Sequence, residues 1–121
     1  MRILVVDDDP MAGEMTSAIL EDQGFEVVLA ENGVEALEHL NLEEDFDIVV
    51  SDLNMPVISG IDLFREMIDR RILIPFILLT GDDREETLRL EPRLTGCLMK
   101  DEFLAERLPD LIAEVLPGGA P

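Results

Sequence analysis

The chain has 121 residues, which suits one compact domain, and 47% of them are hydrophobic, which is enough to build a core. Its 28 acidic residues against nine basic ones give a formal net charge of -19, which argues against direct binding to nucleic acid and favours a cation or a cationic partner. No apolar run could span a bilayer, no signal-peptide pattern opens the chain, and one cysteine excludes an internal disulfide or a cysteine-based zinc cluster; we therefore expect a cytoplasmic domain without membrane contact.

The first predicted unit is a strand followed by a helix. The apolar run at residues 3–6 predicts a strand that ends at three consecutive aspartates. Asp9 is the expected N-cap of the helix that follows, which begins at Pro10 and stops before Gly24. The apolar stripe of this helix is expected to consist of Ala12, Met15, Ile19 and Leu20.

Two further units follow. Residues 25–29 predict a second strand, and Asn32 caps a helix behind it. Its expected apolar side chains are Val34, Leu37 and Leu40. We place His39 on its solvated side, with no phosphorelay role. A third strand is predicted at residues 47–50 and a third helix at residues 61–71. The apolar spacing of that helix comes from Leu63, Phe64, Met67 and Ile68.

The last two units are less regular. Strands are predicted at residues 76–79 and 97–99, with a polar helix at residues 83–90 between them. A final helix lies between residues 102 and 116, where we expect Pro109 to interrupt it or begin it anew. Strands that are apolar at successive positions and alternate with helices indicate a doubly wound, five-stranded parallel sheet of the α/β class, (βα)5. Residues 1–116 would form this domain and residues 117–121 a C-terminal tail or linker.

Residues that can do chemistry follow four of the predicted strands. Asp7 and Asp8 follow the first strand, and Asp52 ends the third. Thr80 follows the fourth strand and Lys100, the only lysine, follows the fifth. Because the carboxyl ends of parallel strands meet at one edge of the sheet, where such folds bind their ligands, we expect these side chains to converge.

Three carboxylates at one edge repel each other, by about 4 kcal/mol for two charges about 4 Å apart at an effective dielectric near 20. A hard cation relieves this repulsion, so the pattern predicts a site for Mg²⁺ (or Mn²⁺). A carboxylate beside such a cation can also act as a nucleophile toward phosphorus. Lys100 would supply a point charge and Thr80 a hydroxyl donor, while Gly81 leaves room for the incoming group.

Four segments carry a specific resemblance, namely residues 3–10 (ILVVDDDP), residues 47–56 (DIVVSDLNMP) with Gly60, residues 75–81 (PFILLTG), and Lys100. Together they resemble a response-regulator receiver domain of bacterial two-component signalling, over residues 2–116. The resemblance implies the flavodoxin-like strand order 2-1-3-4-5. It also implies a phosphoacceptor switch that catalyses only its own phosphorylation and dephosphorylation.

The resemblance also implies roles for single residues. Asp52 would accept a phosphoryl group from a histidine kinase or a phosphotransfer protein. Asp8 and Asp52 would ligate Mg²⁺ directly, Asp7 largely through water, and Asn54 through its backbone carbonyl. Thr80 and Lys100 would contact the phosphoryl oxygens.

Further residues would modulate the site or contact a partner. Asn54, Gly81 and Asp82 occupy positions that tune the reaction, including access of the hydrolytic water. Met11 and Ala18 lie off the expected core stripe of the first helix and are candidate contacts for the kinase. The output domain or protein is not predicted.

The sequence departs from the family pattern near its end. Cys97, which we interpret as a small buried hydrophobe, stands where the family usually has an aromatic residue, and Asp101 stands where proline usually follows the lysine. Pro92 and Pro109 disturb the last two helices. These features put the usual threonine–aromatic readout and the usual dimer face in question, and they are more similar to receivers joined to sensor or kinase modules.

Three alternatives remain open. A pseudo-receiver would bind partners without phosphorylation. A phosphatase of the haloacid dehalogenase type also uses an aspartyl nucleophile, but it needs an acid two residues later, where Asn54 stands. A nucleotide-binding flavodoxin-like module would need a glycine-rich loop after the first strand, which is lacking.

Overall fold

The computed structural model describes residues 1–42, 45–81 and 83–116. Five strands alternate with five helices along the chain. The strands are β1 (Arg2–Val6), β2 (Glu26–Ala30), β3 (Ile48–Asp52), β4 (Phe76–Thr80) and β5 (Gly96–Met99). The helices are α1 (Pro10–Glu21), α2 (Gly33–Asn41), α3 (Gly60–Asp69), α4 (Arg84–Leu90) and α5 (Leu104–Val115). The predicted tail at residues 117–121 lies outside the described residues.

The strands form one parallel sheet in the order β2-β1-β3-β4-β5, which confirms the predicted fold class and strand order. Val6 of β1 lies opposite Ser51 of β3, and Asp52 of β3 lies opposite Leu79 of β4. Thr80 of β4 lies opposite Met99 of β5. This register brings the carboxyl ends of β1, β3, β4 and β5 to one edge of the sheet.

The sheet separates two hydrophobic cores. On β1, Leu4 and Val6 point into one core while Ile3 and Val5 point into the other. The first core is closed by α2 and α3, and the second by α1 and α5. Because side chains alternate across a strand, burial on both faces explains why the strands read as continuous apolar runs.

Side-chain caps fix where the helices begin. Asp9 accepts a hydrogen bond from the Met11 N–H at 3.0 Å, and the Asn32 Oδ1 accepts one from the Glu35 N–H at 2.8 Å. Both caps were predicted from the sequence and are confirmed. A capping box at the start of α3 was not predicted: Ser59 and Asp62 each accept from the other's backbone N–H at 3.1 Å.

Strand limits differ from the predicted ones by one or two residues. The strand β2 is shifted by one position toward Ala30, and β3 reaches Asp52. The strand β4 includes Thr80. Polar side chains ended the predicted strands too early, because the backbone continues to pair with neighbouring strands after the apolar run stops.

The prediction that Pro109 breaks the last helix was wrong. The helix α5 runs without interruption from Leu104 to Val115 with Pro109 inside it. The hydrogen bond that proline cannot donate would go to the carbonyl of Ala105, an exposed residue, so water can satisfy that carbonyl. No cis peptide bond occurs in the described parts of the chain.

Three side-chain placements were also wrong. Met15 of α1 is 67% exposed and Val34 of α2 is 48% exposed, although both were expected to face the core. Thr16 and Ser17 take buried positions of α1 instead. The helix lies close to β2 here, since a Cβ at Gly13 would come within 3.0 Å of the Leu29 side chain. His39 is partly buried, with its ring edge-on to Phe46.

A search of the described residues finds no helix that combines the length and apolar character needed to cross a membrane.

Candidate functional site

Three carboxylates meet at the carboxyl edge of the sheet. One oxygen from each of Asp7, Asp8 and Asp52 lies within 4.8 Å of the others. Asp7 is 3% exposed and Asp52 is 9% exposed, whereas Asp8 is exposed. The cluster therefore has a buried inner side and an open outer side.

The ends of β1 and β3 hold two of these carboxylates in place. The N–H of Asp7 donates to the carbonyl of Ala30 at 3.1 Å, and its Oδ1 accepts from the N–H of Asp9 at 2.9 Å. Asp52 is the last residue of β3, and the hydroxyl of Ser51 donates to its carbonyl oxygen at 2.9 Å. Hydrogen bonds with the backbone thus hold both acids at the ends of their strands.

Lys100 spans the two buried carboxylates. Its Nζ donates to Asp7 Oδ2 at 2.9 Å and lies 3.1 Å from Asp52 Oδ1. The backbone of Lys100 is tied to the same edge, because its N–H donates to the carbonyl of Thr80 at 2.8 Å. The predicted convergence of strands one, three, four and five is therefore observed in the geometry.

The environment changes the pKa of both partners in this ion pair. Burial raises the pKa of Asp52; the nearby Lys100 opposes this, while Asp7 and Asp8 add to it. Burial works against the charge on Lys100, but the hydrogen bond to Asp7 and the attraction of Asp52 outweigh it and raise its pKa. The lysine stays charged, whereas Asp52 is a carboxylate whose negative charge is only partly compensated.

The donor set fits a hard divalent cation. Three carboxylates with ligand atoms within 4.8 Å supply oxygen ligands, and the exposed side of the cluster leaves room for water molecules. The buried Asp52 charge has one ammonium partner, which Asp7 shares. Burial is the main cause of the raised pKa of Asp52, and a cation among these acids would offset the smaller part that comes from repulsion by Asp7 and Asp8.

A tight loop follows Asp52 and leads into α3. The N–H of Leu53 donates to the carbonyl of Leu79 at 2.9 Å, and the N–H of Gly60 donates to the carbonyl of Leu53 at 2.8 Å. A Cβ at position 60 would collide with the carbonyl oxygen of Asp52, so glycine is required there. Asn54 lies in this loop as an exposed residue.

The predicted residues after β4 differ in their surroundings. Thr80 is fully buried at the end of β4. Gly81 is exposed, and a Cβ at its position would meet no heavy atom within 4 Å. Open space at Gly81 agrees with the expected room for an incoming group. Asp82 lies outside the described residues.

The two candidate partner contacts lie on the surface of α1. Met11 is 74% exposed, and Ala18 is exposed as well. Neither lines the cleft of about 280 Å³ between α1 and the start of α5, whose wall includes Met15 and Leu104. Sequence reasoning missed this cleft because it assigned Met15 to the core.

Cys97 is buried, and its backbone carbonyl binds an arginine. Cys97 is 1% exposed, and burial raises the pKa of its thiol. The first residue of α4, Arg84, donates from Nε to the carbonyl of Cys97 at 2.6 Å. The interpretation of Cys97 as a small buried hydrophobe agrees with this placement, whereas the role of Arg84 was not foreseen.

An ion cluster around the buried Glu91, beside α4, was also missed. Glu91 is 3% exposed and accepts from Arg65 Nε at 3.0 Å and from both Arg93 Nε and Arg93 Nη2 at 2.9 Å. These hydrogen bonds, with Arg93 contributing most, lower the pKa of Glu91 to about 2. The only sequence signal was an acid between arginines beside Pro92, which is equally typical of a solvated loop.

Comparison with known proteins agrees with this geometry. Residues 3–112 match the family model described as response regulator receiver domain. The chain is 39% identical over 102 residues to the transcriptional regulatory protein CpxR homolog of Haemophilus influenzae, covering 82% of this chain and 43% of that protein. It is 40% identical over 92 residues to the CAI-1 autoinducer sensor kinase/phosphatase CqsS of Vibrio cholerae, covering 74% of this chain and 13% of that protein.

Solved structures also show similarity to response-regulator receiver domains. The response regulator TrrA of Thermotoga maritima, solved in complex with Mg(2+)-BeF, has a TM-score of 0.85 and 30% identity, covering 95% of this chain and 98% of that one. The chemotaxis protein CheY4 of Vibrio cholerae has a TM-score of 0.84 and 33% identity, with the same coverage. The chain thus spans less than half of the two curated relatives described above but nearly all of these two single domains. It belongs to the response-regulator receiver domain family of two-component signalling.

Proposed function

We propose that Asp52 is the phosphoacceptor of this receiver domain and that its phosphorylation switches the partners that the domain binds. The observation that carries the proposal is the pairing of Lys100 with both Asp7 and Asp52 beside the exposed Asp8. An acidic cluster, an ammonium group and a buried hydroxyl at Thr80 together match the needs of phosphoryl transfer to a carboxylate.

The transfer is a displacement at phosphorus. An Asp52 carboxylate oxygen forms a bond to phosphorus while the P–N bond of a phosphohistidine breaks. The electron pair of that bond stays on the imidazole nitrogen, which then takes up a proton. We assign the donor to a histidine kinase or a phosphotransfer protein, the class of partner with which receiver domains interact. The domain would catalyse only its own phosphorylation and dephosphorylation.

Asp7, Asp8 and Asp52, with the backbone carbonyl of Asn54, are the proposed ligands of Mg²⁺ or Mn²⁺. The cation would neutralise charge on the transferred phosphoryl oxygens. Lys100 holds its ammonium group between two of these acids and is proposed to move onto a phosphoryl oxygen. The Thr80 hydroxyl is proposed to bind a second oxygen. Asn54 and Asp82 would tune access of the water that hydrolyses the aspartyl phosphate, and Gly81 would leave room for the incoming group.

The partner-binding part of the proposal concerns α1. The exposed Met11 and Ala18 are proposed kinase contacts, together with the cleft between α1 and α5. Residues 1–116 are proposed as the receiver unit, with residues 117–121 as a tail or the start of a linker. The intact acidic site leaves the pseudo-receiver alternative without an observation in its favour.

Acetyl phosphate with MgCl2 tests the assignment of Asp52. We expect the intact mass of the chain to increase by one phosphate, and the modification to disappear in Asp52→Asn. Asp9→Asn is the matched control, because Asp9 is adjacent to the cluster but serves α1 as its cap, a role that asparagine retains. An unmodified wild-type chain, or a phosphate that persists in Asp52→Asn, would contradict the proposal.

A further inference from the structure

Two clefts adjoin along α2, and Val34 lines both of them. One has a volume of about 600 Å³ and lies between α2 and the turn at Pro56 and Val57. The other has a volume of about 360 Å³ and lies between α2 and α3. Gly33 permits this arrangement, because a Cβ there would collide with Ile58 at the end of the loop. The surface formed by these clefts is called the α2 face below.

The α2 face exposes two β-branched apolar side chains. Val34 is 48% exposed and Val57 is 89% exposed. Both valines line the first cleft, so they form one small apolar patch beside it. Neither valine contributes much to the core, so only a bound partner would bury these side chains.

The backbone at Val57 is strained. Its φ is 71°, and the Ile58 N–H donates to the Pro56 carbonyl at 2.9 Å, which closes a three-residue γ-turn. A β-branched residue with positive φ is an outlier, and such a backbone conformation is strained. Glycine would form the same turn without this strain. The strained turn therefore presents an apolar side chain to solvent with no gain to the fold.

The rim of the α2 face is negatively charged. Glu35 and Glu38 line the first cleft, and a row of carboxylates on α3 lines the second. That row consists of Asp62, Glu66 and Asp69. Glu66 is paired with Arg70 at 2.9 Å and Asp62 accepts from the Ser59 N–H, so Glu38 and Asp69 are the rim acids to which we assign the contact with a cationic partner. Arg65 also lines the second cleft, but its Nε binds Glu91 and its Nη2 donates to the Leu90 carbonyl at 3.1 Å. Its charge is thus directed toward α4 and away from the acids of the rim.

We propose that the α2 face binds an amphipathic, cationic helix of a partner protein. A groove between two helices accepts the apolar side of a third helix, and Val34 and Val57 would contact that side. Lysine or arginine side chains flanking it would reach the carboxylates of the rim. A second copy of this chain does not fit, because both copies carry a net charge of -19. The inference goes beyond the phosphoacceptor proposal and does not require Asp52 to be modified.

Titration of the 121-residue, ¹⁵N-labelled chain with an 18-residue helical Leu/Lys peptide tests this proposal. We expect chemical-shift changes concentrated in α2, in the Pro56–Ile58 turn and in the facing side of α3. The double variant Val34→Ser/Val57→Asn should raise the dissociation constant by about fivefold or more, because it removes both apolar contacts. Asparagine tolerates positive φ, so this variant keeps the turn.

Two matched controls separate docking from diffuse attraction of a cationic peptide. Leu73→Ser/Leu90→Ser removes exposed apolar side chains elsewhere and should leave the dissociation constant unchanged. Glu38→Gln/Asp69→Asn should weaken binding more than Glu106→Gln/Glu114→Gln, which removes the same charge from α5. Chemical-shift changes spread over α1 and α5 would overturn the proposal. So would an equal loss of affinity in Glu38→Gln/Asp69→Asn and in Glu106→Gln/Glu114→Gln.

Discussion

Lys100 shows how one side chain can serve an acidic site. A compact ammonium on a flexible stem can lie 2.9 Å from Asp7 and 3.1 Å from Asp52 and still be free to change partner. A planar guanidinium would instead favour a fixed, paired geometry with one carboxylate. The use of lysine here, in a chain whose eight other basic residues are arginine, therefore has a physical reason.

At the residue scale, we expect Val57→Gly to stabilise the fold. Glycine relieves the positive φ of 71° at this position, and little packing is lost because Val57 is 89% exposed. After allowance for the greater freedom of glycine in the unfolded chain, the free energy of unfolding should rise by about 1 kcal/mol.

Urea denaturation measures this change. Ser59→Gly is the matched comparison, because it places glycine in the same loop at a position with ordinary backbone angles. It should lower the free energy of unfolding, since it removes the N-cap of α3. Val34→Gly is not suitable because Val34 lies inside α2. A Val57→Gly chain that is less stable than wild type would mean that the valine packs better than its exposure indicates.

At the element scale, α4 is held to the body of the domain by polar bonds. Arg84 binds the Cys97 carbonyl at the beginning of the helix, and Arg65 binds the Leu90 carbonyl at its end. Thr87 is its one buried side chain, and Glu91 follows directly as the C-cap. The attachment of α4 therefore depends on charge more than that of α3, which buries several large apolar side chains.

We expect Glu91→Gln to lower the free energy of unfolding by about 2 kcal/mol at pH 7, because it removes the charge that two arginines bind. The pKa of Glu91 is lowered from 4.5 to about 2 in the folded chain. The contribution of the Glu91 charge to the free energy of unfolding is thus fully present above about pH 4.5 and is lost as the pH falls through about 2. The difference between wild type and variant should shrink across that window.

Urea titrations from pH 7 to pH 2.5 follow this difference. Glu86→Gln, an exposed acid on the same helix, is the matched control and should stay within about 0.5 kcal/mol of wild type throughout. A constant gap between wild type and Glu91→Gln at all pH values would show that shape, and not charge, accounts for the loss.

Elements were more predictable than their contacts. The five strands, the five helices and the convergence of Asp7, Asp52 and Lys100 follow from apolar periodicity and from the rule that parallel strands end together. The burial of Glu91 and the exposure of Met15 could not be predicted, because they depend on how helices sit against each other. Periodicity identifies the face of a helix but not the depth at which a neighbouring helix covers it.

At the scale of the whole molecule, the charge of -19 opposes compaction, so any salt should stabilise the chain by screening. Mg²⁺ should add a saturable contribution, because we propose that it also binds the acidic cluster. At ten times its dissociation constant, this contribution amounts to about 1.4 kcal/mol. Melting temperatures in MgCl2 should therefore exceed those in NaCl at equal ionic strength.

Asp52→Asn separates the two contributions. Removal of a buried carboxylate with a raised pKa should stabilise the metal-free chain and reduce the extra effect of MgCl2, while the response to NaCl stays the same. Equal melting temperatures of the wild-type chain in the two salts would show that the cluster binds no magnesium.

The bridge from Lys100 to Asp7 joins positions that are 93 residues apart, so it connects the first strand to emerge during synthesis with the last. A nascent or truncated chain that lacks β5 has all its clustered acids and no ammonium group to hold them. The acidic site is consequently completed only when the final strand docks. On the proposal that Asp52 is the phosphoacceptor, we expect a domain without β5 to accept phosphate poorly, because it lacks the ammonium group of Lys100.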